Sequence, residues 1–404
     1  MANPIKTKFN LLILLLLLSY LFQLSGCYYT LKKEATTPQQ SLVRVKYFYP
    51  KFRDDMDFES LARAISRNLE YLHRLDSESI FNYGPDEITC KRVKDSFIRF
   101  LEIISSNPDP NELSKQIKNF FNIYRATGRI GKNKTLFTGY FEPTFDGSLY
   151  PDEKYRCPIY KKPDDMLRID LSLFDNKYID KSIIARIEGN EVLPYYSRRQ
   201  IETEKLLEGR GLEIAWLKDP LDVAFLQIQG SGRIRLRDGK IISVGYHASN
   251  GRRYKSIGRY MIDTGLLKRE EVSMQRIREY LTKYPEIIDK VLNYNPSYVF
   301  FRRMENGPYG SINVILTPGR SIALNSALFP KGALCFISCV KPVTNGAGEI
   351  EKWTDFSRFV LNQDTGGAIT GAGRADIFWG NDDYAELAAG NLKHEGELYV
   401  LIEK

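Results

Sequence analysis

Residues 363–380 read QDTGGAITGAGRADIFWG and contain two carboxylates, Asp364 and Asp376, twelve positions apart (376 − 364). The run between them is rich in glycine, which adopts positive backbone φ angles and lets another chain or a ligand approach closely. The pattern predicts a sharp turn with an acidic side chain on each side of it. Taken alone, an Asp beside glycine is as typical of a turn cap as of a proton donor.

The sequence around this stretch favours strands. The chain contains 25 Tyr, 22 Phe and 29 Gly with many short β-branched runs, which suits strands and tight turns better than a helical bundle. Its 404 residues are enough for two domains, and a hydrophobic content of 43% excludes a disordered protein. We therefore predict a mainly β fold with a substantial core.

Helical periodicity is confined to two regions. Residues 56–125 contain three segments with apolar residues at spacings of three and four, namely FESLARAISRNLEYLHRL, ITCKRVKDSFIRFLEII and NELSKQIKNFFNIYRAT. Residues 256–293 form a second helical region. From about residue 135 the remaining sequence predicts strands and turns, as in VAFLQIQGSGRIRLRDGKIISVGYHASNG, where RDGK indicates a hairpin. Strands resume at YVFFRRM and continue to ELYVLIE near the C-terminus.

The N-terminus is typical of a secreted lipoprotein. Residues 1–27 combine Lys6 and Lys8 with an apolar core and end in LSGC, which resembles a bacterial lipobox with Cys27 as the lipidated residue. The alternative is an uncleaved anchor helix with a cysteine there by chance. Tyr28 is not the Asp that retains many lipoproteins in the inner membrane, so we expect an outer-membrane lipoprotein facing the periplasm of a Gram-negative bacterium. Residues 28–50 are polar and are predicted to be a tether.

No metal or cofactor is expected. Four cysteines remain after Cys27, and we predict buried free thiols, because Cys335 and Cys339 are too far apart along a strand to bond each other. The three histidines are widely separated and lack ligand spacing. The net charge of +8 is spread along the chain, which indicates a solvated surface, and nucleic acid is excluded as a partner outside the cytoplasm.

Six motifs in register resemble the membrane-bound lytic murein transglycosylase A family. They run in order over roughly residues 135 to 404: GYFEP (139–143), LQIQGSGRI (226–234), GRRYKSIGRYMIDTG (251–265), NPSYVFF (295–301), LTPGRSIALN (316–325) and QDTGGAITGAGRADIFWG. The resemblance implies a double-psi β-barrel main domain, formed with the N-terminal helices by residues 51–139 and 295–404. It also implies an inserted substrate-binding β-barrel at 140–294, with a groove between the two barrels for a polymer.

The resemblance also implies a reaction. The family cleaves the bond between N-acetylmuramic acid and N-acetylglucosamine in peptidoglycan, and the 6-hydroxyl of the muramic acid attacks its own anomeric carbon to leave a 1,6-anhydro end. A glycosidase normally needs two carboxyl groups, but one can suffice when the substrate supplies the nucleophile. Asp376 matches the family's catalytic aspartate, and Asp364 is expected to support it. We expect Ile377, Phe378, Trp379 and the charge of Asp364 to favour the protonated form of Asp376.

Further residues are assigned to substrate binding by the resemblance alone. Amide, hydroxyl, backbone and aromatic groups are expected to contact the sugars at Thr138, Tyr140, Gln229, Gly230, Ser231, Tyr254, Gly367 and Trp379. Asn325 departs from the family motif, which usually has an Asp there. The partners implied are peptidoglycan glycan strands, the membrane through the lipid anchor, and complexes of cell-wall synthesis or division.

Two other functions stay open on the sequence. A true peptidoglycan hydrolase would need a second carboxylate facing Asp376, and Glu142 in GYFEP is a candidate. A non-catalytic peptidoglycan-binding lipoprotein would bind cell-wall material without cleaving it, although the intact RAD motif argues against this.

Overall fold

The computed structural model describes residues 34–129, 133–179 and 181–404. The predicted signal peptide, Cys27 and the first part of the predicted tether lie outside these ranges. Within them, no helix has the length and apolar character needed to cross a bilayer.

The N-terminal part is mostly helical, as predicted. Each of its three long helices begins at a side chain that accepts a hydrogen bond from the first turn: Asp57, Thr89 and Asp109. The elements in chain order are α1 (Pro38–Ser41), β1 (Leu42–Arg44), α2 (Phe58–His73), β2 (Ile80–Tyr83), β3 (Asp86–Thr89), α3 (Cys90–Ser105), α4 (Pro110–Phe120) and β4 (Phe121–Ala126).

The third predicted helix extends too far at its C-terminal end. The helix α4 ends at Phe120, and FNIYRA continues as β4, which pairs with β1 and with the C-terminal strand of the chain. Tertiary pairing therefore decides the structure of this segment, whose aromatic and β-branched residues suit a half-buried strand better than a helix. The hairpin of β2 and β3 between the first two helices was also not predicted.

The middle part of the chain contains mostly short strands. Its elements are β5 (Thr135–Tyr140), β6 (Thr144–Ser148), β7 (Cys157–Tyr160), β8 (Leu167–Asp170), β9 (Ser182–Glu188), β10 (Glu191–Pro194), α5 (Arg198–Glu202), β11 (Glu213–Leu217), α6 (Pro220–Gln229), β12 (Ser231–Arg235), β13 (Ile241–Ser249), α7 (Ile257–Asp263), α8 (Met274–Lys283), α9 (Ile288–Asn293) and β14 (Val299–Met304). Three single turns of 3₁₀ helix lie at 171–173, 176–178 and 285–287.

Two predictions in this part are confirmed and one is wrong. The RDGK hairpin joins β12 to β13, with Gly239 at φ +81°, and residues 256–293 are helical. The segment VAFLQIQ, predicted as a strand, belongs instead to the helix α6. Asp219 caps this helix, Pro220 occupies its first turn and Gly230 ends it in the left-handed conformation. Nearly all of α6 is buried, so its apolar residues show no helical period.

The C-terminal part completes the first of two barrels. It contains β15 (Ser321–Ala323), β16 (Leu334–Thr344), β17 (Ile350–Asp364), β18 (Arg374–Phe378), α10 (Asp383–Asn391) and β19 (Lys393–Glu403), and the helix α10 was not predicted. Strands pair in the order β5, β18, β15, β17, β16 and β19, and β19 returns to β5, so six strands close into a ring. The pairs β15–β17 and β18–β5 are parallel, and the others are antiparallel.

The second barrel is built from the middle part. Its strands pair in the order β14, β13, β12, β6, β11 and β7, and a bridge from Lys161, just after β7, to Phe301 in β14 brings the two ends together. The prediction of a mainly β fold with N-terminal helices and two barrels is confirmed. The predicted boundary at residue 294 precedes β14, which pairs with β13 in the second barrel.

A buried charge network fixes the segment before α2 to the first barrel. The Arg320 guanidinium is fully buried and binds both oxygens of Asp54, at 2.7 and 2.9 Å. Arg358 binds both oxygens of Asp55 in the same way, at 2.7 and 2.8 Å. Because Arg320 immediately precedes β15, this network also positions the short strand between the two candidate acids.

Candidate active site

The register of the first barrel places the two aspartates in one row. On adjacent strands, Ala323 of β15 is the partner of Asp364 in β17 on one side and of Asp376 in β18 on the other. Asp376 in turn is the partner of Thr138 in β5. The pairing of β15 with β17 shifts by one residue between Ile322 and Ala323, so Asp364 lies opposite Ala323, and the negative charge of Asp376 acts on the Asp364 carboxyl group from the other side of this alanine.

Asp376 is held by an arginine and a threonine. Arg374 Nε and Nη2 donate to its two carboxylate oxygens at 3.1 and 3.2 Å, and the Thr138 hydroxyl donates to Oδ1. Arg374 Nη1 also donates to the carbonyl oxygen of Ala368, at 3.0 Å. The Asp376 side chain remains 16% exposed, so its carboxylate is fixed in orientation and still reachable from the surface.

The surroundings of Asp376 differ from the expected ones. Ile377 follows it on the strand and is fully buried, so its side chain lies on the opposite face and does not desolvate the carboxyl group. Arg374 was missed in the sequence analysis, although its position two residues before Asp376 on a strand places both side chains on the same face.

In this row of residues, Asp364 is the aspartate whose pKa is raised. Tyr140 Oη donates to its Oδ2 at 2.9 Å, and the backbone N–H groups of Ser311 and Thr365 donate to Oδ1 at 2.9 and 2.8 Å. Burial raises the pKa of Asp364 to about 6, and the negative charge of Asp376 adds to the shift, although the hydrogen bonds oppose it. Asp364 therefore exchanges a proton close to neutral pH.

The glycine-rich loop between β17 and β18 curves around this row. Gly371 has φ +70°, and a Cβ there would meet the Glu34 carboxylate, while a Cβ at Gly373 would meet the backbone of Arg129. Gly371 needs glycine for its left-handed backbone conformation, and Gly373 needs it for packing against the backbone of Arg129. Gly367 is exposed and a Cβ there would meet nothing within 4 Å, so neighbouring chain atoms do not explain its glycine.

The QGSG motif lies where the two barrels meet. The buried side chain of Gln229 accepts a hydrogen bond from the backbone of Phe141 at 3.1 Å and donates to Met274 Sδ at 2.9 Å. Gly230 ends α6 at φ +78°, and the buried Ser231 begins β12. Gln229 thus holds the chain just after β5, and its position favours a structural contribution to the site over direct contact with a sugar.

The two predicted aromatic contacts have different environments. Tyr254 of the middle part is half-buried; burial raises its pKa, and the charge of Arg374 opposes the shift, so its hydroxyl lies within electrostatic reach of the ion pair. The Trp379 ring is instead buried in the core between Phe356 and Tyr384, with ring centroids 6.2 and 5.9 Å away. The structure does not favour the prediction that Trp379 stacks on a sugar, because the residue is only 8% exposed and the Arg358 guanidinium lies over its ring.

Glu142 does not face Asp376 in this structure. Its side chain is only 2% exposed, and Oε2 accepts a hydrogen bond from Asn381 at 3.3 Å. Burial raises the pKa of Glu142, while Asn381 and the charge of Arg233 lower it. Asn325, the departure from the family motif, accepts a hydrogen bond from Ala327 N and so holds a turn. Among the described residues, no group of three or more His, Cys, Asp or Glu side chains could hold a metal ion.

Comparisons with known proteins agree with this architecture. The family model described as the MltA specific insert domain matches residues 136–302, and the 3D domain model matches residues 320–402. Membrane-bound lytic murein transglycosylase A of Vibrio cholerae is 28% identical over 275 residues, which cover 67% of this chain and 66% of that protein. Its Escherichia coli K12 counterpart is 28% identical over 283 residues, covering 69% and 68%. The match therefore spans about two thirds of each curated relative.

Solved structures extend the similarity to most of the chain. The membrane-bound lytic murein transglycosylase from Agrobacterium tumefaciens has a TM-score of 0.72 at 28% identity, covering 90% of this chain and 98% of that one. MltA from Neisseria gonorrhoeae, in its monoclinic form, has a TM-score of 0.67 at 28% identity, covering 92% and 97%. Fold, site and matches define a two-barrel protein that combines an MltA-specific insert with a 3D domain. The chain belongs to the membrane-bound lytic murein transglycosylase A family.

Proposed function

We propose that this protein cleaves the glycan strands of peptidoglycan as a lytic transglycosylase, leaving 1,6-anhydro-N-acetylmuramic acid ends. The observation that carries the proposal is the row in which the oriented, partly exposed carboxylate of Asp376 lies one strand away from Thr138 and two strands away from Asp364. This row lies within the matched 3D domain and the first strand of the matched insert domain. The relatives named above are called lytic murein transglycosylases.

In the proposed mechanism Asp376 carries both proton transfers. It protonates the leaving glycosidic oxygen, and the resulting carboxylate then takes the proton of the muramic acid 6-hydroxyl as that oxygen bonds to the anomeric carbon. No water enters the product. Because Arg374 donates to both oxygens of the Asp376 carboxyl group, the first transfer requires the bound substrate to displace one of these hydrogen bonds.

A specific observation favours a second assignment of the first proton. Asp364 has a pKa of about 6 and therefore retains a proton over part of the neutral range, whereas Asp376 is paired with a guanidinium. In this alternative Asp364 is the donor and Asp376 is the base that activates the 6-hydroxyl. The two assignments predict the same products and differ in which variant loses the proton donor.

We propose that the sugars contact both barrels around this row. Thr138 and Tyr140 flank it on β5, and Tyr254 reaches it from the middle part of the chain. Ser231, Gly230 and Gly367 are proposed as further contacts, and Gln229 as the residue that fixes the strand junction. The lipid at Cys27 is proposed to hold the enzyme at the outer membrane, facing the periplasm, where cell-wall synthesis or division complexes are its proposed partners.

The test is digestion of purified peptidoglycan followed by mass analysis of the products. Asp376→Asn keeps the size of the side chain but cannot exchange a proton, so a loss of about 10²–10⁴-fold in rate is expected. Asp164→Asn, at an exposed position of the middle part, is the matched control and should retain full activity. Glu142→Gln should leave the product pattern unchanged, because the proposed chemistry needs no carboxylate at that position.

The outcomes separate the rival functions. Products that carry an added water would show a hydrolase. Binding to cell-wall material without any cleavage by the wild type would show a non-catalytic binding protein. Near-full activity in Asp376→Asn would overturn both assignments, and a loss in Asp364→Asn as large as that in Asp376→Asn would assign the first proton to Asp364.

A further inference from the structure

An unusually exposed aromatic turn follows the edge strand β1. Tyr47 and Phe48 are 77% and 101% exposed, and the ring of Tyr49 is partly exposed beside them. Phe48 has φ +56°, a backbone region that bulky residues rarely adopt. The two aromatic side chains are not buried within this chain, so they contribute no hydrophobic stabilisation that would offset the strain of the turn. This indicates that something outside the chain covers the turn.

A basic pocket lies directly beside this turn. Its volume is about 610 Å³, and four cations line it: Lys51, Arg53, Lys115 and Lys118. None of its nine lining residues is acidic. The Lys118 ammonium lies 6.0 Å from the ring centroid of Tyr49, so the aromatic turn and the pocket form one continuous surface. We call this the aromatic–basic surface.

Two nearby acids limit the positive charge only in part: Glu112 and the exposed Asp109, whose carboxylate accepts from the backbone N–H of the lining residue Asn111. Glu112 lies 3.7 Å from Lys115, and both side chains are well exposed to solvent, so their ion pair is weak. The ammonium of Lys404 donates to the carbonyl oxygen of Lys118 at 2.9 Å at the edge of the pocket. The surface therefore has a positive charge around an apolar tip.

We propose that the aromatic–basic surface docks onto the anionic phospholipid headgroups of the membrane that carries the protein. Aromatic side chains are favoured at the membrane interface, and lysine and arginine are attracted to anionic lipid. The turn would enter the headgroup layer with Phe48 at its tip, and the cations of the pocket would bind lipid phosphates. This combination distinguishes a membrane surface from a soluble anion, which would need no exposed aromatic tip.

The position of the surface along the chain supports this occupant. The inference rests in part on the proposed lipid at Cys27, which precedes the first described residue, Glu34, by seven positions (34 − 27). Seven residues span at most about 25 Å. The tether thus keeps the folded protein close to the bilayer, and a weak surface contact becomes effective because the contact is intramolecular.

The test uses the full chain, reconstituted through its own anchor into vesicles that contain brominated lipid, which quenches tryptophan at short range. Phe48→Trp places a reporter at the tip of the turn, and wild-type protein provides the background from the three native tryptophans. Tyr150→Trp, at an exposed position of the middle part, is the matched control. We expect quenching and a blue shift of the Phe48→Trp signal in phosphatidylglycerol vesicles and neither effect in the control.

A second arm tests the charge. A lysine near an anionic surface contributes about fivefold to binding, so reversing two lysines should reduce docking by at least about 25-fold. Lys115→Glu with Lys118→Glu should therefore reduce the quenching of Phe48→Trp to the level seen in phosphatidylcholine vesicles. Lys240→Glu, in the exposed hairpin turn between β12 and β13, should change nothing. Cleavage of soluble glycan strands should be unaffected by any of these lysine changes.

Three results would overturn the inference. The first is quenching of Phe48→Trp no greater than that of Tyr150→Trp. The second is quenching that is equal in anionic and neutral vesicles. The third is a loss of binding to purified cell-wall material in the double lysine variant while its quenching persists, which would assign the pocket to an acidic polymer. All of these readouts are independent of product analysis, so they separate this inference from the proposed reaction.

Discussion

Asp364→Asn is expected to stabilise the folded protein at neutral pH while lowering its activity. In the folded protein, burial at the end of β17 raises the pKa of Asp364 to about 6 from an ordinary value of 3.8. Below about pH 3 the carboxyl group is protonated in the folded and the unfolded chain, and it does not affect their balance. Between about pH 3 and pH 6 the unfolded chain loses this proton first, so the free energy of unfolding decreases as the pH rises.

The size of the effect follows from the two pKa values. The difference of 2.2 units (6 − 3.8) at 1.36 kcal/mol per unit gives about 3 kcal/mol, which is lost in full above pH 6. Asparagine cannot ionise and therefore avoids this loss. The hydrogen bonds that change with the amide add an offset that does not depend on pH. The free energy of unfolding of the variant, relative to the wild type, should thus increase by about 3 kcal/mol between pH 3 and pH 7.

The measurement is guanidinium denaturation at several values of pH, followed by the fluorescence of the three tryptophans. Asp164→Asn, which removes an exposed carboxyl group, is the control and should show a much smaller dependence on pH. A difference between Asp364→Asn and wild type that stays constant from pH 3 to pH 7 would refute the reasoning. It would mean that Asp364 is ionised to the same extent in both states.

Three further outcomes are expected. Gly139→Ala should destabilise the protein by about 1–3 kcal/mol, because its Cβ would meet Trp379 Nε1 at 2.7 Å and the backbone of Ala389 at 2.8 Å. Thermal unfolding measures this loss of stability, and an unchanged midpoint temperature would contradict the prediction. Arg320→Met should lower the free energy of unfolding by about 3–5 kcal/mol, because it leaves Asp54 buried without its partner. Adding Asp54→Leu should recover stability, and a double variant as unstable as the single one would contradict this prediction. Cys27→Ala should yield an unprocessed or soluble form on cell fractionation, and a mature protein still found in the outer-membrane fraction would contradict lipidation at Cys27.

The strand-rich part of the fold could be predicted where local chemistry decides it. The RDGK turn is an example, because Gly239 at φ +81° needs only the glycine and its neighbours in sequence. The helix α6 could not be recognised by periodicity, since a helix buried on all sides is apolar on all sides. Its caps, Asp219, Pro220 and Gly230, were nevertheless present in the sequence. The strand β4 depends on partners far along the chain, and no local signal reports them.

The two aspartates could be found from the sequence, but their arrangement could not. Their spacing gives no distance, because the row depends on β15 inserting Ala323 between β17 and β18. The expectation of an apolar environment for Asp376 was wrong for Ile377, because successive residues of a strand point to opposite faces of the sheet. By the same alternation, Arg374 lies two residues before Asp376 and therefore on the same face. The burial of Trp379 depends on packing against α10 and β17, which the sequence does not reveal.

The two connections between the barrels have very different lengths. Only residues 141–143 separate β5 from β6, whereas residues 305–320 separate β14 from β15. The short connection is clamped, because the backbone N–H of Phe141 donates to Gln229 and that of Glu142 donates to Gly380. A displacement of the second barrel would therefore pass along β5 directly to Thr138 and to the Asp376 carboxylate that Thr138 binds. The long connection is fixed as well, because Ile312 and Leu316 are buried and the backbone N–H of Ser311 donates to Asp364. A mechanical load on the second barrel would thus reach both candidate acids.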